Sequence, residues 1–250
     1  MRLPCAALVL AGLLVLPACG GAERLVTGSA QDVVVCDTRG DGGTTGQEVY
    51  SEGATADSPE ATLRVARSER AFGGVQEGLR EDKRDEDRVL YVLEVDDVVK
   101  QAVILRDGPA TKGAGGPGWY VESWAVCDYS ELPRSFTDSV GLQIWNDADG
   151  EPVPTTVLEA WQGPEHCSWQ SMTFLEMGDA VYVRAPQPGL SDHFAEPYDE
   201  HAALPDTAVD TGYTRDGARL WISADERRAY VGTRDDVELW PRTVKPLGCA

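Results

Sequence analysis

The chain has 250 residues, with 42 acidic side chains against 22 basic ones and a formal net charge of −20. That excess of negative charge argues against nucleic acid and against docking on anionic lipid headgroups, since both need a basic footprint. The length is enough to bury the core of one large domain or two small ones.

Residues 5–16, CAALVLAGLLVL, form an uncharged apolar run behind Arg2. The run suits the core of an export signal and falls short of the roughly 20 residues that a membrane span needs. Leu16, Pro17, Ala18 and Cys19 close it, and Gly20 and Gly21 follow. This ending resembles the lipobox of exported bacterial lipoproteins, although Pro17 departs from the small residue usual at its position. The resemblance implies cleavage before Cys19 and a diacylglycerol on its thiol. Residues 1–18, Cys5 among them, are then a signal peptide and residues 19–30 a tether. Buried acyl chains contribute about 0.8 kcal/mol per CH₂, and stable attachment takes more than one chain, which a diacylated cysteine provides.

QDVVVC (31–36) reads as a short strand, and residues 37–58 as an irregular loop. Ser58, Pro59 and Glu60 have the chemistry of a helix start. That predicts a helix along SPEATLRVARSERAF, stopped by Gly73 and Gly74. The charge run 76–87 reads as a frayed helix or solvated loop. RVLYVLEV (88–95) and VVKQAVIL (98–105) then predict a β-hairpin around Asp96 and Asp97, with apolar residues on both faces of each strand. WYVESWAVC (119–127) is a third strand. A helix followed by antiparallel strands is similar in element order alone to the cystatin-like and NTF2-like layouts, a helix on a curved sheet.

The second half is more plainly β. VGLQIW (140–145) and PVPTTVLEAW (152–161) flank the turn NDADG, and GPEHCSWQS reads as one helical turn. MTFLEM and AVYVRA predict two strands around Gly178 and Asp179. Residues 186–217 lack periodicity and read as a long loop, of a length that in a compact domain points to function or mobility. RLWIS (219–223), RAYVGT (228–233) and DVELW (236–240) form a meander like one propeller blade. No repeat of about 40–45 residues accompanies it, which rejects that fold. The expected class is α+β, predominantly antiparallel β. A helix-plus-meander half spans 31–134 and a β-rich half spans 135–250, as one domain or two.

Four cysteines remain beyond Cys19: Cys36, Cys127, Cys167 and Cys249. An even number in an oxidising compartment predicts two disulfides. Of the three possible pairings we prefer Cys36–Cys127 with Cys167–Cys249, because each closes one half of the chain. No CxxC supports zinc. The segment DHFAEPYDEH gathers Asp192, His193, Glu196 and His201 as candidate metal ligands for Zn²⁺ or Cu²⁺. Its histidines are eight apart without an HExxH, so an acidic surface loop is the competing reading. NDADG fails as a calcium loop, because an EF-hand frame puts Trp145 and Thr156 where acids are required. Arg39-Gly40-Asp41 lies where Gly and Asp already mark a loop. Nucleophilic catalysis finds neither a GxSxG elbow nor an SxxK. Seven tryptophans suit either core packing or stacking on sugars. Trp119 and Trp124 fall on opposite faces of one strand by simple alternation, so one of them should leave the core; both are candidates for glycan stacking.

The arginine-over-lysine bias, the Ala, Gly and Asp content and the lipobox together resemble exported lipoproteins of actinobacterial type. The expected function is a non-catalytic lipoprotein held by its lipid on the outer face of the cell membrane. Its partner would be an envelope protein or cell-wall glycan, with no cofactor and no nucleic acid. The alternatives are a carbohydrate or cell-wall binding module, and a metal-dependent hydrolase built on the 192–201 segment.

Overall fold

A computed structural model describes residues 26–45, 55–68, 74, 76–109 and 117–248. Its elements are β1 (Asp41–Thr44), α1 (Pro59–Ser68), β2 (Arg80–Arg84), β3 (Arg88–Val95), β4 (Val98–Pro109), β5 (Pro117–Val126) and α2 (Arg134–Ser139), then β6 (Leu158–Gln162), β7 (Thr173–Met177), β8 (Ala180–Arg184), β9 (Asp199–Ala202), β10 (Val209–Arg215), β11 (Ala218–Ile222), β12 (Arg228–Thr233) and β13 (Asp236–Pro241). The fold is α+β and dominated by antiparallel sheet. Among the described residues no helix is long and apolar enough to cross a membrane.

The first half is one antiparallel sheet in the order β1-β5-β4-β3-β2. Its inner strands β3, β4 and β5 carry apolar residues on both faces because both faces are covered. Val89, Tyr91, Val103, Leu105 and Val121 meet Leu63 and Ala66 of α1. Leu90, Val92, Ala102, Ile104 and Ala125 meet Val26 and Ala30, with Val33 and Val34 packed beside them. The expected strand 31–36 is therefore a covering segment, joined to the sheet by one backbone bond from Val35 N to Val99 O. The Ser58 hydroxyl accepts from the Ala61 amide at 3.2 Å, as an N-cap should. The helix expected beyond Ser68 continues into residues outside the described ones. Asp96 and Asp97 both take positive φ, 51° and 64°, which suits a tight hairpin turn.

Two edges depart from the sequence reading. Residues 80–84 are a strand, not a frayed helix or loop: REDKR pairs with β3 and is exposed throughout. An edge strand with charge on both faces resists pairing with other chains, and it carries no apolar periodicity for a reader to find. Likewise β1, inside the expected loop 37–58, pairs with β5 through two glycines.

The second half consists of the three-stranded sheet β6-β7-β8 and the five-stranded sheet β10-β11-β12-β13-β9. They share one core, with Leu158, Leu175 and Tyr182 from the first meeting Leu220, Ile222, Ala229 and Trp240 from the second. The 186–217 segment is not a structureless loop. It supplies β9 against β13 and β10 against β11. Both are edge strands in which no residue is fully buried, so hydrophobic patterning could not mark them. Residues 140–145 are not a strand either; the chain there turns out of α2 and touches β6 only at a bridge from Leu142 to Trp161.

The halves join through polar contacts. The Asp128 carboxylate accepts from the Ser130 amide and from the amide and hydroxyl of Thr155. Within the second half, Arg215 of β10 donates to Asp138 of α2 at 2.9 Å and to the Ile144 carbonyl at 3.0 Å, fixing α2 to the sheet. Cys36 and Cys127 form a disulfide with Cα atoms 5.2 Å apart, tying the covering segment to the end of β5.

Candidate functional site: a cleft between the halves

A cleft of about 720 Å³ opens where α1 and β3 of the first half face α2 of the second. That is the size of a site for a small organic ligand. Arg67, Gln76, Tyr129, Phe136, Val140 and Leu142 are among its lining residues. The rings of Tyr129 and Phe136 stack with centroids 6.4 Å apart. Gly74 sits at φ +69°, and a Cβ there would lie 3.3 Å from the Phe136 ring, so glycine lets the chain pass the aromatic wall.

The polar wall is built on Gln101, a fully buried residue of β4. Its amide oxygen accepts from the Gln76 N–H at 3.2 Å, and its amide nitrogen donates to the Gly74 carbonyl at 3.1 Å. Arg67 Nη2 donates to the Gln76 carbonyl at 2.8 Å. These bonds fix the backbone of Gln76 but leave two side-chain donors over. Arg67 Nε and Gln76 Nε2 make no hydrogen bond, and both atoms are shut off from solvent as well. An unsatisfied buried donor costs about 1–3 kcal/mol. Burial also raises the pKa of the Tyr129 hydroxyl, keeping the aromatic wall neutral.

The residues singled out from sequence lie elsewhere. Asp192, His193, Glu196 and His201 do not converge. The His193 Nδ1 faces the Pro246 carbonyl at 3.0 Å, Glu196 pairs with Arg228 at 2.6 Å, and exposed His201 lies 3.6 Å from Asp236. Among the described residues no group of three or more His, Cys, Asp or Glu could hold a metal ion. The expected ligands are not brought together: β9 carries His201 away along the sheet edge, while His193 stays on the turn before it. The carboxylate of Asp147 in NDADG is spent on the amides of Asp149 and Glu151, as in an ordinary turn.

Trp119 and Trp124 do not lie on opposite faces. The pairing of β5 with β4 skips Glu122, as Ile104 faces Ser123 and Leu105 faces Val121. This bulge shifts the alternation by one residue, so both indoles join the α1 side of the sheet and pack against its core. Neither is an open stacking platform. Trp161 and Trp169, beside Phe174, instead line a separate groove of about 570 Å³. Trp161 and Phe174 stack there at 5.5 Å.

Cys19 lies outside the described residues, as does Cys249. Cys167 is disulfide-bonded, while the Cys167–Cys249 pairing expected from sequence falls outside what is described. Sequence reasoning missed Arg67, Gln76 and Gln101. One signal was available: Lys100 and Gln101 interrupt an otherwise apolar strand, and a polar pair in a central strand must find buried partners. Comparison with protein-family models, curated proteins and solved structures gives no match to this chain.

Proposed function

We propose that this protein is a non-catalytic, lipid-anchored lipoprotein of the outer face of the cell membrane, and that it binds a small ligand in the cleft between its halves. The observation that carries the binding role is the cleft itself, about 720 Å³ and lined by the stacked rings of Tyr129 and Phe136 together with Arg67. Among the described residues the lining holds one carboxylate, Glu77, and no histidine or cysteine to activate a nucleophile. The geometry therefore favours holding a molecule over transforming it.

The path of the N-terminal segment supports the anchored part of this reading. Val26 N–H donates to Asp85 at 2.8 Å, and Arg88 donates to the Val26 and Gly28 carbonyls at 2.6 and 2.8 Å. Arg88 is held in turn by Glu122 at 2.7 Å. Val26 lies only seven positions beyond Cys19, a reach of about 25 Å at full extension. A diacylated Cys19 would thus keep the body close to the bilayer, with the β3 start nearest to it. Leu93 of the cleft lies five residues further along β3, roughly 17 Å away along the strand. The cleft then opens at the end of the sheet remote from the tether, free to receive a ligand.

Fractionation tests the anchor. Cys19→Ala should move the protein from the membrane fraction to the soluble exported fraction, and retention on the membrane would overturn the lipid attachment. A cleft-filling variant, Val140→Trp, tests the binding role by abolishing ligand capture while the protein stays folded and membrane-bound.

A further inference from the structure

We infer that Glu159 is a proton-operated lock on the junction between the halves: its ionised carboxylate strains the junction by like charge, and a proton taken up there tightens it. The inference stands apart from what the cleft binds.

The strand pairing builds the lock. Leu158 and Ala160 of β6 point into the core shared by the two sheets. Alternation puts Glu159 on the other face, where β7 sets Glu176 directly opposite it. Like charges facing each other across two strands destabilise the pair. Elsewhere the chain answers such carboxylates with arginine, as Arg184 does for Glu238 and Arg88 for Glu122. Here neither glutamate makes an ion pair or a side-chain hydrogen bond among the described residues. Glu176 is exposed, whereas Glu159 is half-buried, where water screens its charge less.

The pair lies at the contact that joins the halves. β6 starts just beyond Thr155, whose amide and hydroxyl donate to Asp128 of the first half. Asp128 is buried and brings a third carboxylate near Glu159. On its other edge β6 is bound by the segment leaving α2, from Gln143 N to Ala160 O at 2.7 Å and from Gln162 N to Gly141 O at 2.8 Å. Residues 141–143 of that segment are uncharged. The charges facing Glu159 among the described residues are therefore Glu176 and Asp128, with the neutral Tyr129 hydroxyl nearby and no cation. Burial, and then the Glu176 and Asp128 charges, raise the Glu159 pKa above the ordinary glutamate value. A raised folded value contributes stability that is full below the unfolded pKa and is lost as pH rises through the folded one. The junction is thus tight in acid and loosened toward neutrality. Leu142 of the cleft is bridged to Trp161 of β6, so the same proton acts on a strand that holds the cleft.

Hydrogen exchange of the Thr155 amide, which donates to Asp128, reads the lock directly. It is measured by mass spectrometry on the full chain in lipid nanodiscs, comparing variant and native protein at the same pH. At pH 7, Glu159→Gln should slow exchange of this amide about three- to fivefold, the scale of a like-charge cross-strand pair. At pH 4.5, the ordinary glutamate value, the native Glu159 mostly holds its proton and the difference should fall below about twofold. Glu176→Gln removes the opposing charge and should also slow exchange at pH 7, by less, because Asp128 still faces Glu159. Faster exchange in Glu159→Gln at pH 7 would show that the carboxylate supports the junction, and would overturn the lock. Equal exchange in Glu159→Gln and the native chain at pH 7, or a difference undiminished at pH 4.5, would overturn it as well.

Discussion

Replacing Lys100 by methionine should cost about 3 kcal/mol, the lower end of what breaking a buried ion pair costs. Lys100 Nζ donates to Asp37 at 2.8 Å and to Glu131 at 2.7 Å. The Asp37 side chain is 83 % exposed, so that arm contributes well under ~1 kcal/mol. The Glu131 side chain is only 8 % exposed, as is that of Lys100. Without the lysine, the Glu131 carboxylate stays buried and loses its counter-charge. It keeps the Asp37 and Thr38 amides and the Thr38 hydroxyl, which is why the lower end applies. The double variant Lys100→Met/Glu131→Gln removes the charge too and should recover much of the loss. Urea unfolding at pH 7, followed by tryptophan fluorescence, reads all three proteins. The pH dependence supplies an independent check. Burial pushes the Glu131 pKa up, but Lys100 and the surrounding donors outweigh it and hold it at about 2, against 4.5 for a free glutamate. A depressed folded value means stability that is full above the unfolded pKa and is lost as pH falls toward the folded one. The native protein should therefore lose on the order of 3 kcal/mol from this group between about pH 5 and pH 2. Glu131→Gln should lack that part of the slope. A loss under about 1 kcal/mol in Lys100→Met, or an unchanged acid slope in Glu131→Gln, would refute the reasoning.

Cys36→Ser should destabilise the protein by about 4 kcal/mol, because the bridge closes a loop of 91 residues; calorimetry with and without reductant checks this, and equal melting temperatures would contradict it. Replacing Asp96-Asp97 by Asn-Gly should stabilise the β3–β4 hairpin by up to about 1 kcal/mol, since both positions require positive φ; a lower urea midpoint would show that the aspartates have another role. Zn²⁺ should leave the melting temperature unchanged, as His193 and His201 face different partners; a rise of several degrees would reopen the metal reading.

The strands of the first sheet were legible because RVLYVLEV and VVKQAVIL bury both faces, and a doubly buried strand cannot hide its composition. The helix start at Ser58 was legible because capping is local chemistry. The edges β1, β2, β9 and β10 were not: an edge strand is held by backbone hydrogen bonds that any side chain permits. The tryptophans show how a single residue defeats alternation. One bulge at Glu122 reverses the faces of everything before it, and a bulge is set by how two strands settle against each other.

The sequence alone determined that this chain is β-rich and acidic, because composition and periodicity are properties carried along the chain; which of the three cysteine pairings forms was left to the fold, which joins Cys36 to Cys127. Tertiary structure decided where a ligand could sit. Arg67, Gln76, Gln101 and Phe136 come from four separate segments, and none carries a local motif. They came together only when α1, β4 and α2 packed around a cleft walled by the Tyr129 and Phe136 rings. A cleft is a relation between distant segments, so only the folded arrangement can express it.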